Sequence, residues 1–158
     1  MEKRLIKRIL QPFLDLLRQG ITPEKVALTI ALGLSLGVTP VIGSTTLLCT
    51  LAAVTLRLNL PAIQLVNGAA YPLQLILIIP FLRAGAWIFG DRTVPALTVT
   101  RLFELFRANL WQAIVTLWTA TMHALVVWLG VAGLTGLVLY LLLVPVLKLL
   151  WKHEGQRT

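Results

Sequence analysis

The side chains that could carry chemistry are few, and most avoid the apolar stretches. All six carboxylates, Glu2, Asp15, Glu24, Asp91, Glu104 and Glu154, lie outside those stretches. Acid–base, metal and nucleophilic catalysis all need groups that converge. The sequence shows no paired carboxylates, metal-ligand cluster or nucleophile elbow. His123 is the sole acid–base residue within an apolar run, and no carboxylate stands near it in sequence. It reads either as a functional group or, more commonly for such a position, as a hydrogen-bonded core or interface histidine. Cys49 is the only cysteine, which excludes a disulfide framework, and it reads as a small core residue. The expectation is a non-enzyme with no catalytic residue, metal or cofactor.

Binding chemistry has better material. Gly37 to Gly43 surrounds Pro40, and a helix restarting there would free backbone amides at Gly43, Ser44 and Thr45, able to hold an anion such as phosphate. Asn67, Tyr71 and Gln74 flank Pro72 and could add donors. Arg57 and Arg83 bracket this second stretch, and arginine's planar, permanently charged fork suits phosphate. Each residue also has a plainer reading. Pro and Gly permit close packing of short helices, and arginines at such boundaries commonly snorkel to lipid headgroups.

The elements that must position these groups follow from composition. Of 158 residues, 58% are hydrophobic and 13% charged, with mean hydropathy +0.87. Soluble domains average about 45–50% apolar and about 25% charged, so lipid is expected to solvate much of this chain. The net charge of +8 sits at the edges of apolar segments. That points to anionic headgroups rather than to nucleic acid.

Residues 1–20 hold an amphipathic pattern over 3–18 with a basic polar face, suited to the membrane interface. Thr22-Pro23-Glu24 predicts a capped helix start. Val26 to Leu56 then carries no charge over 31 residues, about 46 Å as one helix, and the Pro40 region predicts two short helices instead. Leu58 to Leu82 repeats the theme: its 25 residues make either one tilted span or, as the basic flanks favour, a second short hairpin interrupted at Asn67 to Pro72. Residues 91–110 read as a linker and a short amphipathic helix. Residues 111–150 read as a transmembrane helix pair folded around Gly130-Gly133-Gly136, spacing that also permits homo-oligomer contacts, and 151–158 as a basic tail.

The predicted architecture is therefore all-α: an amphipathic helix, two Pro/Gly-broken re-entrant-type hairpins within 21–90, a short amphipathic helix and a transmembrane pair. Lys and Arg concentrate on cytoplasmic segments. The basic N-terminus, 83–107 connection and C-terminus are expected to share the cytoplasmic side of a bacterial inner membrane, with Arg57 as the joint between the hairpins.

The stretch from Gly20-Ile21-Thr22-Pro23-Glu24-Lys25 through Phe89 resembles the bacterial membrane family called "domain of unknown function 2062". Ala31-Leu32-Gly33-Leu34-Ser35-Leu36-Gly37, Pro40-Val41-Ile42-Gly43-Ser44-Thr45-Thr46 and Arg57-Leu58-Asn59-Leu60-Pro61 carry the likeness. Where many relatives have an Asn-Pro pair, this sequence has Tyr71-Pro72. The resemblance implies a membrane protein and names no reaction. Fusion of some relatives to glycosyltransferases that use polyprenyl-phosphate lipids implies envelope lipid or polysaccharide work. Two functions are expected from these signals: binding or translocation of a lipid-linked or other anionic substrate, or a scaffold for a glycosyltransferase or other envelope protein.

Overall fold

Thr22 opens the first helix as its sequence predicts: its Oγ1 accepts from the Lys25 amide at 3.5 Å, Pro23 takes the first turn and Glu24 follows. The computed structural model describes residues 22–90, 104, 107 and 109–154. The amphipathic pattern of 3–18 and most of 91–108 lie outside the described residues. Four helices make up the fold, and no strand occurs among the described residues: α1 (Pro23–Gly37), α2 (Ser44–Leu56), α3 (Leu60–Ile88) and α4 (Leu110–Glu154).

The expected break around Pro40 is present. Thr39 Oγ1 and the Thr39 amide both turn back to Leu36 O, at 2.6 and 3.2 Å. Gly43 sits at φ 88, a left-handed conformation that glycine adopts without steric cost. Thus α1 and α2 form a tight helical hairpin. Arg57 closes α2 at φ 53, and Asn59 caps α3 by accepting from the Ala62 amide at 3.0 Å.

Two expectations are overturned. The stretch from Asn67 to Pro72 does not interrupt anything: α3 runs unbroken for 29 residues with Pro72 and Pro80 inside it. An internal proline costs one ladder bond and crowds the preceding turn. Here Ala62 to Gln74 is clamped by α1 and α2 on both sides of the defect, which outweighs that cost. Nor is there a C-terminal pair. α4 is one helix of 45 residues containing Gly130, Gly133 and Gly136. Glycine weakens a helix by only about 1 kcal/mol, and the Gly130–Gly136 segment has neither proline nor a side-chain acceptor placed to end it.

α1 is the central element, and it is buried on two stripes. Gly33 and Gly37 approach α3 so closely that a Cβ would lie 2.7 Å from Val66 Cγ1 and 2.9 Å from Ala70 Cβ respectively. Ser35 faces α4, where Trp128 Nε1 donates to its carbonyl at 3.1 Å and Gly136 leaves room for its hydroxyl. α3 and α4 run antiparallel, meeting at Gly85, where a Cβ would lie 2.8 Å from the His123 backbone. Ala27, Ala62 and Leu147 mark the other end of this pairing.

The hairpin therefore covers only half of the long pair. Its open end joins Ala62 and Leu147, and its tip meets Ala70, Gln74 and Trp128. Past the tip, α3 packs on α4 at Gly85 against His123 and Ala124, and at Ala86 with Ala120. Arg57 and Arg83 fall at opposite ends of α3, about 34 Å of helix rise apart. Arg83 therefore stands far along the molecule from Arg57 and Lys148, and most of the 83–107 connection lies outside the described residues.

Candidate functional site

The proposed site residues separate into a tip and a basic end. At the tip, Pro40, Thr45 and Gln74 are buried, while Gly43 is exposed. Gln74 is fully buried, and its Nε2 donates to Thr39 O at 2.8 Å and to Val41 O at 3.5 Å. These are carbonyls that the helix break strands. Ser44 Oγ donates to Val41 O at 2.9 Å and the Ser44 amide to the same oxygen at 3.4 Å. The polar groups at the break thus mostly satisfy one another. Gln74 Oε1 and Ser35 Oγ are buried with no hydrogen-bond partner among the described residues.

Asn67 lies lower on α3 in a different chain of bonds. Its Nδ2 donates to Gln64 Oε1 at 3.2 Å, and Gln64 Nε2 donates to Thr46 O at 3.0 Å and Thr50 Oγ1 at 2.9 Å. That string ties α3 to α2. Tyr71, Pro72 and Arg83 are exposed, and Arg57 is at the open end of the hairpin. The tip gathers Pro40, Gly43, Ser44, Thr45 and Gln74, leaving Asn67 to the α2–α3 seam. Among the described residues no arginine or lysine joins them, so an anion there would meet dipoles without a counter-charge from those residues.

The basic end draws from every helix. Lys25 Nζ on α1 donates to Arg57 O at 3.3 Å, holding the joint between α2 and α3. Lys148 Nζ on α4 pairs with Glu24 Oε1 at 2.7 Å. That hydrogen-bonded pair lowers the Glu24 pKa below its ordinary 4.5 and raises the Lys148 pKa above its ordinary 10.5. Arg57 and Lys152 are exposed alongside. One of these four cations, Lys148, is paired with a carboxylate, Glu24.

Sequence reasoning passed over Gln64, Lys25 and the Ser35–Trp128 contact. Gln64 had a visible signal, an amide in an apolar run three residues before Asn67, since polar side chains in such runs bond across helices. The other two depend on residues 32 and 93 positions apart, and nothing local announces them.

The family model described as "Uncharacterized protein conserved in bacteria (DUF2062)" matches residues 6–156. The chain belongs to this family. The match extends well past the Gly20–Phe89 region that carries the motifs and takes in α4, so the long helix is part of the family's unit. Comparisons with curated proteins and with solved structures give no match. α3 and the segment Leu110–Lys152 of α4 are each long and apolar enough to cross a membrane. Their outward faces are apolar too: Ile76, Trp118, Leu129, Leu134 and Leu141 are among many large exposed side chains.

Proposed function

We propose that this family member is an integral protein of the bacterial inner membrane that binds anionic, phosphate-bearing lipid headgroups at its basic end and catalyses no reaction. α3 and α4 cross the bilayer, and the α1–α2 hairpin re-enters it from the basic side. From Leu60 to Arg83, α3 rises about 34 Å, close to the ~30 Å hydrocarbon core. Of fourteen Lys and Arg residues, only four fall between Leu60 and Leu147: Arg83 in the last turns of α3, and Arg92, Arg101 and Arg107 between α3 and α4. The other ten precede α3 or follow Leu147, which makes that side, with both termini, cytoplasmic.

The observation that carries headgroup binding is the placing of Lys25 of α1, Arg57 of the α2–α3 joint, and Lys148 and Lys152 of α4 at one end, with Lys148 paired to Glu24. Each such cation near an anionic leaflet is worth about 1 kcal/mol. Translocation loses half of its motive, since paired interrupted helices frame transporter sites and α3 is continuous.

The test uses the purified protein in mild detergent with phosphatidylglycerol, a polyprenyl phosphate or phosphatidylcholine added. Thermal stabilisation by the first two and not the third is expected, and it shrinks in the Arg57→Gln/Lys152→Gln double variant. Equal stabilisation by phosphatidylcholine overturns headgroup recognition.

A scaffold role has its own support: Gly130 and Gly133 face outward with nothing within 4 Å, leaving a smooth strip on α4 for another helix. That reading expects a stable co-purifying envelope protein, such as a glycosyltransferase, displaced by Gly133→Leu.

A further inference from the structure

Helices at the two depths of the molecule are unequal in number. At the basic end, α1, α2, α3 and α4 lie side by side; past the tip, only α3 and α4 continue among the described residues. From Val26 to Val38, α1 rises about 18 Å, which carries the tip to just beyond the middle of a ~30 Å hydrocarbon core. The polar bonds fix that depth. Gln74, buried at the midpoint of α3, grips Thr39 and Val41 at the tip, Gln64 grips α2 one helix-half back, and Lys25 closes the open end on Arg57. The outer face of α2 is apolar and exposed at Leu47, Leu51 and Val54, from 60 to 71%, as lipid contact requires.

We infer that the protein is a leaflet-selective wedge whose partner is a lipid surface: it expands the leaflet that holds its basic end and so favours membranes in which that leaflet is convex. The inference rests on the membrane reading above. Two helices of 10–12 Å diameter add roughly 200 Å² of cross-section to one leaflet and none to the other. Shallow amphipathic helices achieve curvature sensitivity by filling one leaflet only, and a half-depth hairpin does the same to greater depth. Beneath the tip, Leu75, Ile76 and Ile79 are exposed and are covered by acyl chains of the opposite leaflet.

The full-length protein supplies its own control, because each orientation in a vesicle presents the wedge oppositely. With Cys49→Ser in the background and Lys152→Cys as the reporter, detergent-mediated reconstitution is done into small, strongly curved vesicles and into large ones. A membrane-impermeant maleimide then reads the outward fraction of basic ends. The expected result is an outward-to-inward ratio near one in large vesicles and at least about threefold higher in small ones, in phosphatidylcholine as well as in anionic lipid. The same ratio at both sizes overturns the wedge, and a size effect confined to anionic lipid overturns it in favour of surface charge. Failure of the protein to float with vesicles after alkaline extraction sinks the membrane reading itself. A Gln74→Met variant, with the tip released, retains flotation and loses the size dependence; unchanged size dependence with a demonstrably loosened tip also counts against the wedge.

Discussion

Gln74 holds Thr39 O, a carbonyl that the helix break would otherwise strand, and its replacement isolates what that is worth. Gln74→Met keeps the length of the side chain but takes the side-chain donor from the buried Thr39 O, whereas Val41 O keeps Ser44, at a cost of about 1–3 kcal/mol. A lower Tm in detergent is expected, together with faster proteolysis between Thr39 and Gly43. Arg57 offers the opposite sign. A non-glycine residue in the left-handed region carries roughly 1–2 kcal/mol of strain, so Arg57→Gly is expected to raise Tm while weakening the response to anionic lipid. A fall in Tm shows instead that the guanidinium holds the joint. The Glu24–Lys148 pair responds to pH at both extremes. With the Glu24 pKa lowered, its share of stability is full above 4.5 and fades as pH falls through the depressed value. With the Lys148 pKa raised, its share is full below 10.5 and fades as pH rises through the elevated one. Between those limits Tm is flat, and Glu24→Gln removes the acid limb. Because both groups are exposed, at 40 and 56% of their side-chain surface, the change is small, as for surface pairs generally.

At the scale of elements, the glycines sort by what faces them. A Cβ at Gly85 meets the backbone of His123 and Ala124 at 2.8 and 2.9 Å, and backbone cannot step aside. Gly85→Ala is expected to part α3 from α4 at about 1–3 kcal/mol, seen as a lowered Tm and a disturbed Phe89–His123 stack, whose rings lie 4.3 Å apart. Gly130 and Gly133 meet nothing, so alanine there gains up to about 1 kcal/mol of helix propensity each, read as a higher Tm of the monomer. A loss instead reveals a partner helix on that strip. The same distinction explains what was legible in the sequence. Thr22-Pro23-Glu24 and Asn59-Leu60-Pro61 announce their caps through local bonds, and the Pro40 break announces itself through Thr39, which bonds back to Leu36, and Gly43, which supplies the left-handed turn. Asn67 to Pro72 has the same residue types without that geometry. Whether Pro72 breaks α3 depends on α1 packing across it, through Gly33 against Val66 and Gly37 against Ala70, contacts about 33 residues apart. Gly136 likewise looks like part of a turn until Ser35, from the far end of the chain, is seen to need its space. For the candidate site, Gln74 was legible as a lone amide in an apolar run, but its role as a carbonyl clamp was not. The basic end was legible as charge and became a cluster only when four helices were assembled.

The whole molecule gives one test that every other argument leans on. If α3 crosses the membrane as proposed, labelling at positions 57 and 92 is expected from opposite sides, whereas a second hairpin predicts the same side for both. α4 extends the argument, because its uncharged run from Trp111 to Leu147 spans 37 residues, about 55 Å, far more than one ~30 Å core needs. On the proposed membrane reading, the pairing of Gly85 with His123 and of Glu24 with Lys148 assigns Ala124 to Leu147, about 35 Å, to the core beside Leu60 to Arg83. Leu110 to Met122 then continues past Arg83, where exposed Trp87, Trp111 and Trp118 fit the aromatic belt at the far interface. Single cysteines in a Cys49→Ser background read this register in intact cells. Arg57→Cys and Lys152→Cys are expected to resist an impermeant maleimide until the inner membrane is opened, and Arg92→Cys to react from outside. Pro40→Cys, just beyond the middle of the core, reacts from neither side. Trp118→Cys labels from outside, and Leu134→Cys, facing lipid at depth, from neither. Outside labelling at position 57, or its loss at position 92, would return α3 to the interrupted form and remove the half-depth hairpin with it.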